Sequence, residues 1–68
     1  MSIQALMRIN KLNETIIEAE RFISKANDAK ARLATEGDLI GYCCKEYASA
    51  KRASMDLTRA LTELRKSN

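Results

Sequence analysis

Two apolar stripes with a constant-sum register constrain this chain more than any other feature. In each half of the sequence, mostly apolar residues recur at alternating spacings of three and four, the a/d pattern of a packed helix. Residues of the two stripes pair so that their numbers sum to 73, which makes the stripes antiparallel across one turn. The pairs are Ile9 with Leu64, Leu12 with Leu61, Ile16 with Leu57, Ala19 with Ser54, Ile23 with Ala50, Ala26 with Tyr47, Lys30 with Cys43, and Leu33 with Ile40.

Capping and turn residues predict the bounds of one hairpin. Ser2 is a suitable N-cap, and with no breaker after it we predict a first helix over about 2–34. The only turn signal lies at about 35–38 and contains a glycine, and a second helix follows over about 39–66. We therefore predict an all-α fold, an antiparallel two-helix hairpin of coiled-coil type that forms a single domain over 1–68.

One continuous helix is the alternative to a hairpin. The a positions of the first stripe would continue at 37 and 44, whereas those of the second stripe fall at 40 and 47, a shift of three residues. A continuous coiled coil would have to absorb this shift as a stammer, close to two glycines. The hairpin needs no such distortion and is favoured.

Self-association is predicted because the chain is short and its apolar surface is wide. A hairpin of 68 residues buries little surface alone, and further apolar residues lie beside the a/d stripes. We predict a homo-oligomer, with a dimer that forms a four-helix bundle favoured over a higher oligomer. The predicted oligomer interface contains Ile3, Leu6, Met7, Ile17, Phe22, Cys44 and Met55.

The composition argues against several classes of protein. No segment approaches the roughly 18 to 20 apolar residues of a membrane span, and charged residues interrupt the first stretch, so neither a membrane association nor a secretory signal is predicted. Cys43 and Cys44 are adjacent and the chain has no histidine, so no metal site is predicted. Unpaired cysteines suit a cytoplasmic location, where both would be structural, with a redox role as the alternative.

The sharpest candidate for a binding surface is a basic ridge on the second helix. Its four members recur every seven residues, on the side opposite the a/d stripe. A straight cationic stripe can contact phosphates without reading sequence, although Asp56 and Glu63 are placed to form ordinary ion pairs within a solvated face. The ridge consists of Lys45, Arg52, Arg59 and Lys66, with Lys51 and Arg65 one column over as further candidate nucleic-acid or anion contacts.

Other chemistry is less well supported by the sequence. A small anion captured between subunits near Tyr42, Lys45 and Arg32 is one hypothesis. Acidic residues are spread along outer faces, and both glycines lie near the turn, so neither a paired-carboxylate site nor a phosphate loop is predicted. We predict no catalytic residues, no enzyme activity and no cofactor.

The segment AKRASMDLTRALTELRK, residues 50–66, resembles the C-terminal helices of small accessory proteins of tailed phages and prophages. This resemblance implies a bacterial or phage cytosolic setting and assigns no residue a role. In architecture alone the chain resembles Rop, the plasmid RNA-binding dimer of helical hairpins, whose RNA contacts do not transfer because the sequences do not match. The favoured function is a non-enzymatic adaptor or modulator of another macromolecule, with a nucleic-acid-binding regulator or a protein that sequesters a small anion as alternatives.

Overall fold

The computed structural model describes residues 2–36 and 45–66 as two helices that pack against each other. Helix α1 spans Ile3–Glu36 and helix α2 spans Lys45–Lys66. Apart from Ser2, every described residue is helical, so the prediction of two packed helices is confirmed. Of the predicted turn, Thr35 and Glu36 belong to α1, and residues 37–38 lie outside the described residues. The predicted first residues of the second helix, 39–44, which include Cys43 and Cys44, also lie outside them.

Ser2 caps the first helix as the sequence predicts. Its Oγ accepts a hydrogen bond from the backbone N–H of Ala5 at 3.1 Å, and its carbonyl oxygen accepts one from the N–H of Leu6 at 3.0 Å. The first contact satisfies one of the four amide groups that have no partner within the first helical turn, and the second is the first intrahelical hydrogen bond. The helix therefore begins at Ile3 because its capping side chain immediately precedes it.

The two helices run in opposite directions. Lys11, near the start of α1, and Leu64, near the end of α2, line one groove between the helices. Leu33, near the end of α1, and Tyr47, near the start of α2, line another. Positions late in one helix thus lie beside positions early in the other, which is the antiparallel arrangement predicted from the constant-sum register.

The most deeply buried positions of the interface between α1 and α2 carry small side chains, and larger side chains such as Phe22 and Leu57 are half-buried there. Ala29, Ala50 and Ala53 are buried, and Ala53 is only 1% exposed. Thr15 is the buried polar residue of the described part, and its hydroxyl donates a hydrogen bond to the carbonyl oxygen of Lys11 at 2.8 Å. None of the described large apolar side chains is fully buried. Because small residues protrude little, the two backbones can approach closely, and the contact is tight but narrow.

The predicted stripes are right for most of their d positions, Leu12 at 47% exposed being an exception, and wrong for most of their a positions. At the d positions, Ala50 is buried and both Leu33 and Leu57 are half-buried against the other helix. At the a positions, Ile16 and Ile23 are exposed instead of lying between the helices. Their places at the contact are taken by residues one position earlier on both helices. These residues are Thr15, Phe22 and Ala29 on α1, and Ala53 and Ala60 on α2.

The hairpin is a thin, elongated object. Its principal extents are 53, 18 and 12 Å. The 34 residues of α1 account for the long axis, since a helix rises about 1.5 Å per residue. Two helices side by side form a single layer, so each helix has a neighbour on one side only. Such a layer leaves two broad faces open.

Candidate interaction surfaces

One broad side of the hairpin carries a row of large apolar side chains, which we call the apolar face. Its members are 36 to 56% exposed although they belong to the residue types most often buried in proteins. Large exposed apolar patches on a protein surface mark interaction sites. The apolar face consists of Ile9, Leu12, Ile16 and Ile23 of α1, with Tyr47 and Leu61 of α2.

A groove between the helices places both halves of the apolar face on the same side. The groove has a volume of about 370 Å³ and is lined by Ala26 and Lys30 of α1 and by Tyr47 and Ser54 of α2, among others. Ala26 and Lys30 continue the stripe of Ile16 and Ile23 at helical spacings of three, four and seven. The stripe of Leu61 likewise reaches Ser54 and Tyr47 in steps of seven. Both stripes therefore border the same groove.

The opposite broad side is charged. A groove of about 410 Å³ on that side is lined by acidic and basic side chains of both helices, including Lys11, Glu18 and Arg59. Arg21 Nη1 lies 3.0 Å from Asp56 Oδ2 on the other helix and 3.5 Å from Glu18 Oε2 on its own helix. These partly exposed ion pairs contribute little to stability, on the order of 0 to 1 kcal/mol each. The two sides of the layer thus differ in charge, although Ile17, Ala60 and Leu64 also line the groove on the charged side.

The side chains predicted to form the oligomer interface lie in different places. Ile17 and Met55 follow Thr15 and Ala53 by two residues, about 200° around their helices, and Ile17 lines the groove on the charged side. Phe22 is half-buried and lines the groove on the apolar side. The remaining members of the set are Ile3, Leu6 and Met7, which are exposed near the start of α1, and Cys44, which lies outside the described residues.

The basic ridge is present as an exposed row on α2. Its members stand seven residues apart, which corresponds to about 10.5 Å along the helix axis. Lys66 Nζ lies 3.9 Å from Glu63 Oε1, as a solvated face would predict. Asp56, however, pairs with Arg21 across the hairpin. Among residues 2–36 and 45–66, neither Arg52 nor Arg59 has a carboxylate within ion-pair distance.

The two additional cations predicted beside the ridge have other contacts. The Lys51 Nζ lies 5.9 Å from the centre of the Tyr47 ring, a cation–π distance, and Lys51 lines the groove on the apolar side. Arg65 donates a hydrogen bond from Nε to the carbonyl oxygen of Leu61 at 3.4 Å. The six cations of the sequence prediction therefore do not form one surface, and only the four ridge residues share a column.

The inter-helix pair of Arg21 with Asp56 was missed by the sequence reasoning, which assigned Asp56 to the arginines of its own helix. Both residues lie on the same side of the α1·α2 contact. The antiparallel register brings their positions along the hairpin axis close enough for the long Arg21 side chain to reach Asp56. Opposite charges flanking paired stripes were the available signal. As a result, Asp56 is engaged with α1 and not with the arginines of its own helix.

Among the described residues, the structure does not assemble the predicted anion pocket. Tyr42 lies outside the described residues, and Arg32 lines an open groove of about 360 Å³ with Glu46. Over the described ranges, no group of three or more His, Cys, Asp or Glu side chains is placed to hold a metal ion. Neither described helix is both long and apolar enough to cross a bilayer.

Comparisons with protein-family models, with curated proteins and with solved structures find no match to this chain.

Proposed function

We propose that this protein is a non-enzymatic helical assembly protein, which forms a homodimeric four-helix bundle and acts as an adaptor or modulator of another macromolecule. One observation carries the proposal. Of the described residues, eleven large apolar side chains are at least 36% exposed, whereas those that are buried are three alanines and one threonine. A chain with this distribution has its best core-forming side chains available for intermolecular contacts.

The energetics of a two-helix layer support the same proposal. Burying an alanine removes little apolar area from water, and each fully buried Ile or Leu contributes about 1.5 to 3 kcal/mol relative to an exposed one. Chains shorter than about 70 to 80 residues seldom build a sufficient core alone. Association would supply the burial that the contact between α1 and α2 lacks. The surfaces left outside the bundle would then be free to contact a further protein.

Sedimentation velocity at micromolar chain concentration tests the assembly directly. We expect a particle of about twice the 7.6 kDa chain mass, because the apolar face would be covered in the dimer. Far-ultraviolet circular dichroism on the same samples provides the control that the chain is helical. A well-folded helical monomer at these concentrations would contradict the proposal.

Nucleic-acid binding through the basic ridge is a second candidate, favoured by the ion pair between Arg21 and Asp56. With Asp56 engaged across the hairpin, the guanidinium groups of Arg52 and Arg59 face solvent without the carboxylate that the sequence places beside them. Evenly spaced cations on a straight helix can contact the phosphates of a duplex, and such contacts are sensitive to salt.

Replacing Arg52 with glutamate should weaken duplex binding at least tenfold if the ridge contacts phosphates, and Arg59→Glu should do the same. The measurement is fluorescence anisotropy with labelled duplex DNA and RNA over a salt series. The matched control is Arg8→Glu, which makes the same change in net charge at an exposed position of α1. Equal losses for all three variants would show a general charge effect, and no binding by the unmodified protein at low salt would exclude this candidate.

Several further expectations remain predictions. They are the cytoplasmic location, the phage or prophage setting implied by the resemblance of residues 50–66, the lack of enzyme activity, and the capture of a small anion near Tyr42. The partner of the proposed adaptor is another protein, whose contact surface would lie on the outer sides of the bundle.

A further inference from the structure

The exposed a positions of both helices share one side of the hairpin. This placement resembles that of the core residues in a four-helix bundle. In a four-helix bundle, the large a/d side chains point toward the centre, which all four helices share, while small residues line the close contacts between neighbouring helices. The hairpin has both features. Ala29 and Ala53 lie at the α1·α2 contact, and Ile16 and Leu61 project to one side of it.

The polar groups near the apolar face are already satisfied within their own helix. The Ser54 hydroxyl donates to the carbonyl oxygen of Lys51 at 2.6 Å, and the Thr58 hydroxyl donates to the carbonyl oxygen of Ser54 at 3.0 Å. Covering a hydroxyl that keeps its hydrogen bond avoids the penalty of burying an unsatisfied donor. An apolar partner can therefore lie over this part of α2 without leaving these donors unpaired.

The broad side that carries the apolar face is large enough for a stable dimer, although the apolar residues themselves extend over only about 21 Å of each helix. Protein–protein interfaces of standard size bury roughly 800 Å² on each partner. The hairpin offers a broad side of 53 by 18 Å, and the large apolar residues extend along α1 from Ile9 to Ile23 and along α2 from Tyr47 to Leu61. A second hairpin has the same length and the same apolar row, so the rows of two copies can lie against each other, with the rest of the broad side around them.

We infer that the apolar face binds the same face of a second copy of this chain, so that Ile16, Ile23 and Leu61 of both copies form the core of the four-helix bundle. This inference rests on the proposed function and adds the surface through which assembly occurs. It differs from the sequence prediction that places Ile17 and Met55 in the interface: Ile17 lines the groove on the charged side, and Met55 lies about 200° around α2 from the buried Ala53. In an isologous dimer, each substitution in the face is present twice in one core.

Adjacent isoleucines on α1 provide a matched pair of variants for the test. Ile16 is 51% exposed and belongs to the apolar face, whereas Ile17 is 61% exposed and lines the groove on the opposite, charged side. Replacing either with glutamine makes the same chemical change at neighbouring positions of the same helix. By sedimentation equilibrium, we expect Ile16→Gln to raise the dimer dissociation constant by at least about 100-fold and Ile17→Gln to change it less than about threefold.

The outcomes distinguish an error in the choice of interface from an error in the proposed dimerisation. If the unmodified protein dimerises but Ile16→Gln has no larger effect than Ile17→Gln, the face is wrong while the proposed function stands. If Ile17→Gln alone dissociates the dimer, the charged side, where Ile17 lines the groove, is the interface. A monomeric unmodified protein refutes both. Should Ile16→Gln fail to fold, the pair Ile16→Ala and Ile17→Ala gives the same comparison, because alanine favours the helix at both positions.

Discussion

Replacing Ala53 with leucine is expected to lower the free energy of unfolding by about 1 to 3 kcal/mol, because the added methyl groups have no space between the helices. Ala53 is 1% exposed, the lowest value among the described core residues, and it lies where α2 approaches α1. Urea unfolding followed by circular dichroism, at one fixed chain concentration, measures the change. For a small helical protein, this is a large part of the total stability.

Ala48→Leu is the matched control for the Ala53 variant. Ala48 is exposed on the same helix, and the helix propensities of alanine and leucine are close, so the control should change stability by less than about 0.5 kcal/mol. A destabilisation confined to Ala53→Leu would demonstrate the close α1·α2 contact. Equal effects at both positions, or a gain in stability for Ala53→Leu, would show that the helices are not tightly packed at this level.

The melting temperature of the protein should rise with chain concentration if folding depends on assembly. For a dimer that dissociates on unfolding, a 100-fold increase in chain concentration favours the folded state by about 2.7 kcal/mol per dimer. Thermal melts by circular dichroism at about 1 and about 100 μM chain concentration would measure the shift. The physical reason is the lack of any fully buried large side chain in the described part of one hairpin.

A melting temperature independent of concentration would contradict this coupling. The control is a melt of Ile16→Gln over the same concentrations, since a variant with a weakened apolar face should unfold at a lower temperature at each concentration. Ile17→Gln should follow the unmodified protein. These melts use the same variants as the association experiment but report on folding, so the two measurements check each other.

Local features of the fold were predictable from the sequence because they depend on neighbouring residues. Ser2 precedes an uninterrupted helical segment, and its cap on the N–H of Ala5 forms as predicted. The antiparallel direction followed from the register of two stripes with one turn signal between them. The exposure of Arg52 and Arg59 followed from their spacing of seven on the side away from the stripe.

The choice of contact surface was not predictable in the same way. An apolar pattern shows which residues avoid water, but on helices with wide apolar faces it does not show which column meets the other helix of the same chain. The structure places the small residues Ala29 and Ala53 at that contact and leaves Ile16 and Ile23 beside it. Close backbone approach favours small side chains, whereas the large ones need the wider space at the centre of a bundle.

The sequence by itself determined the helical class, the hairpin direction, the N-terminal cap and the column of basic residues, because spacing along a helix converts directly into angle and height. Only the tertiary structure decided the rotation of each helix about its own axis. That rotation turns the predicted a positions into one exposed apolar face, and it pairs Asp56 with Arg21 instead of with the ridge. Rotation depends on how two whole surfaces fit together, and no single residue or spacing encodes that fit.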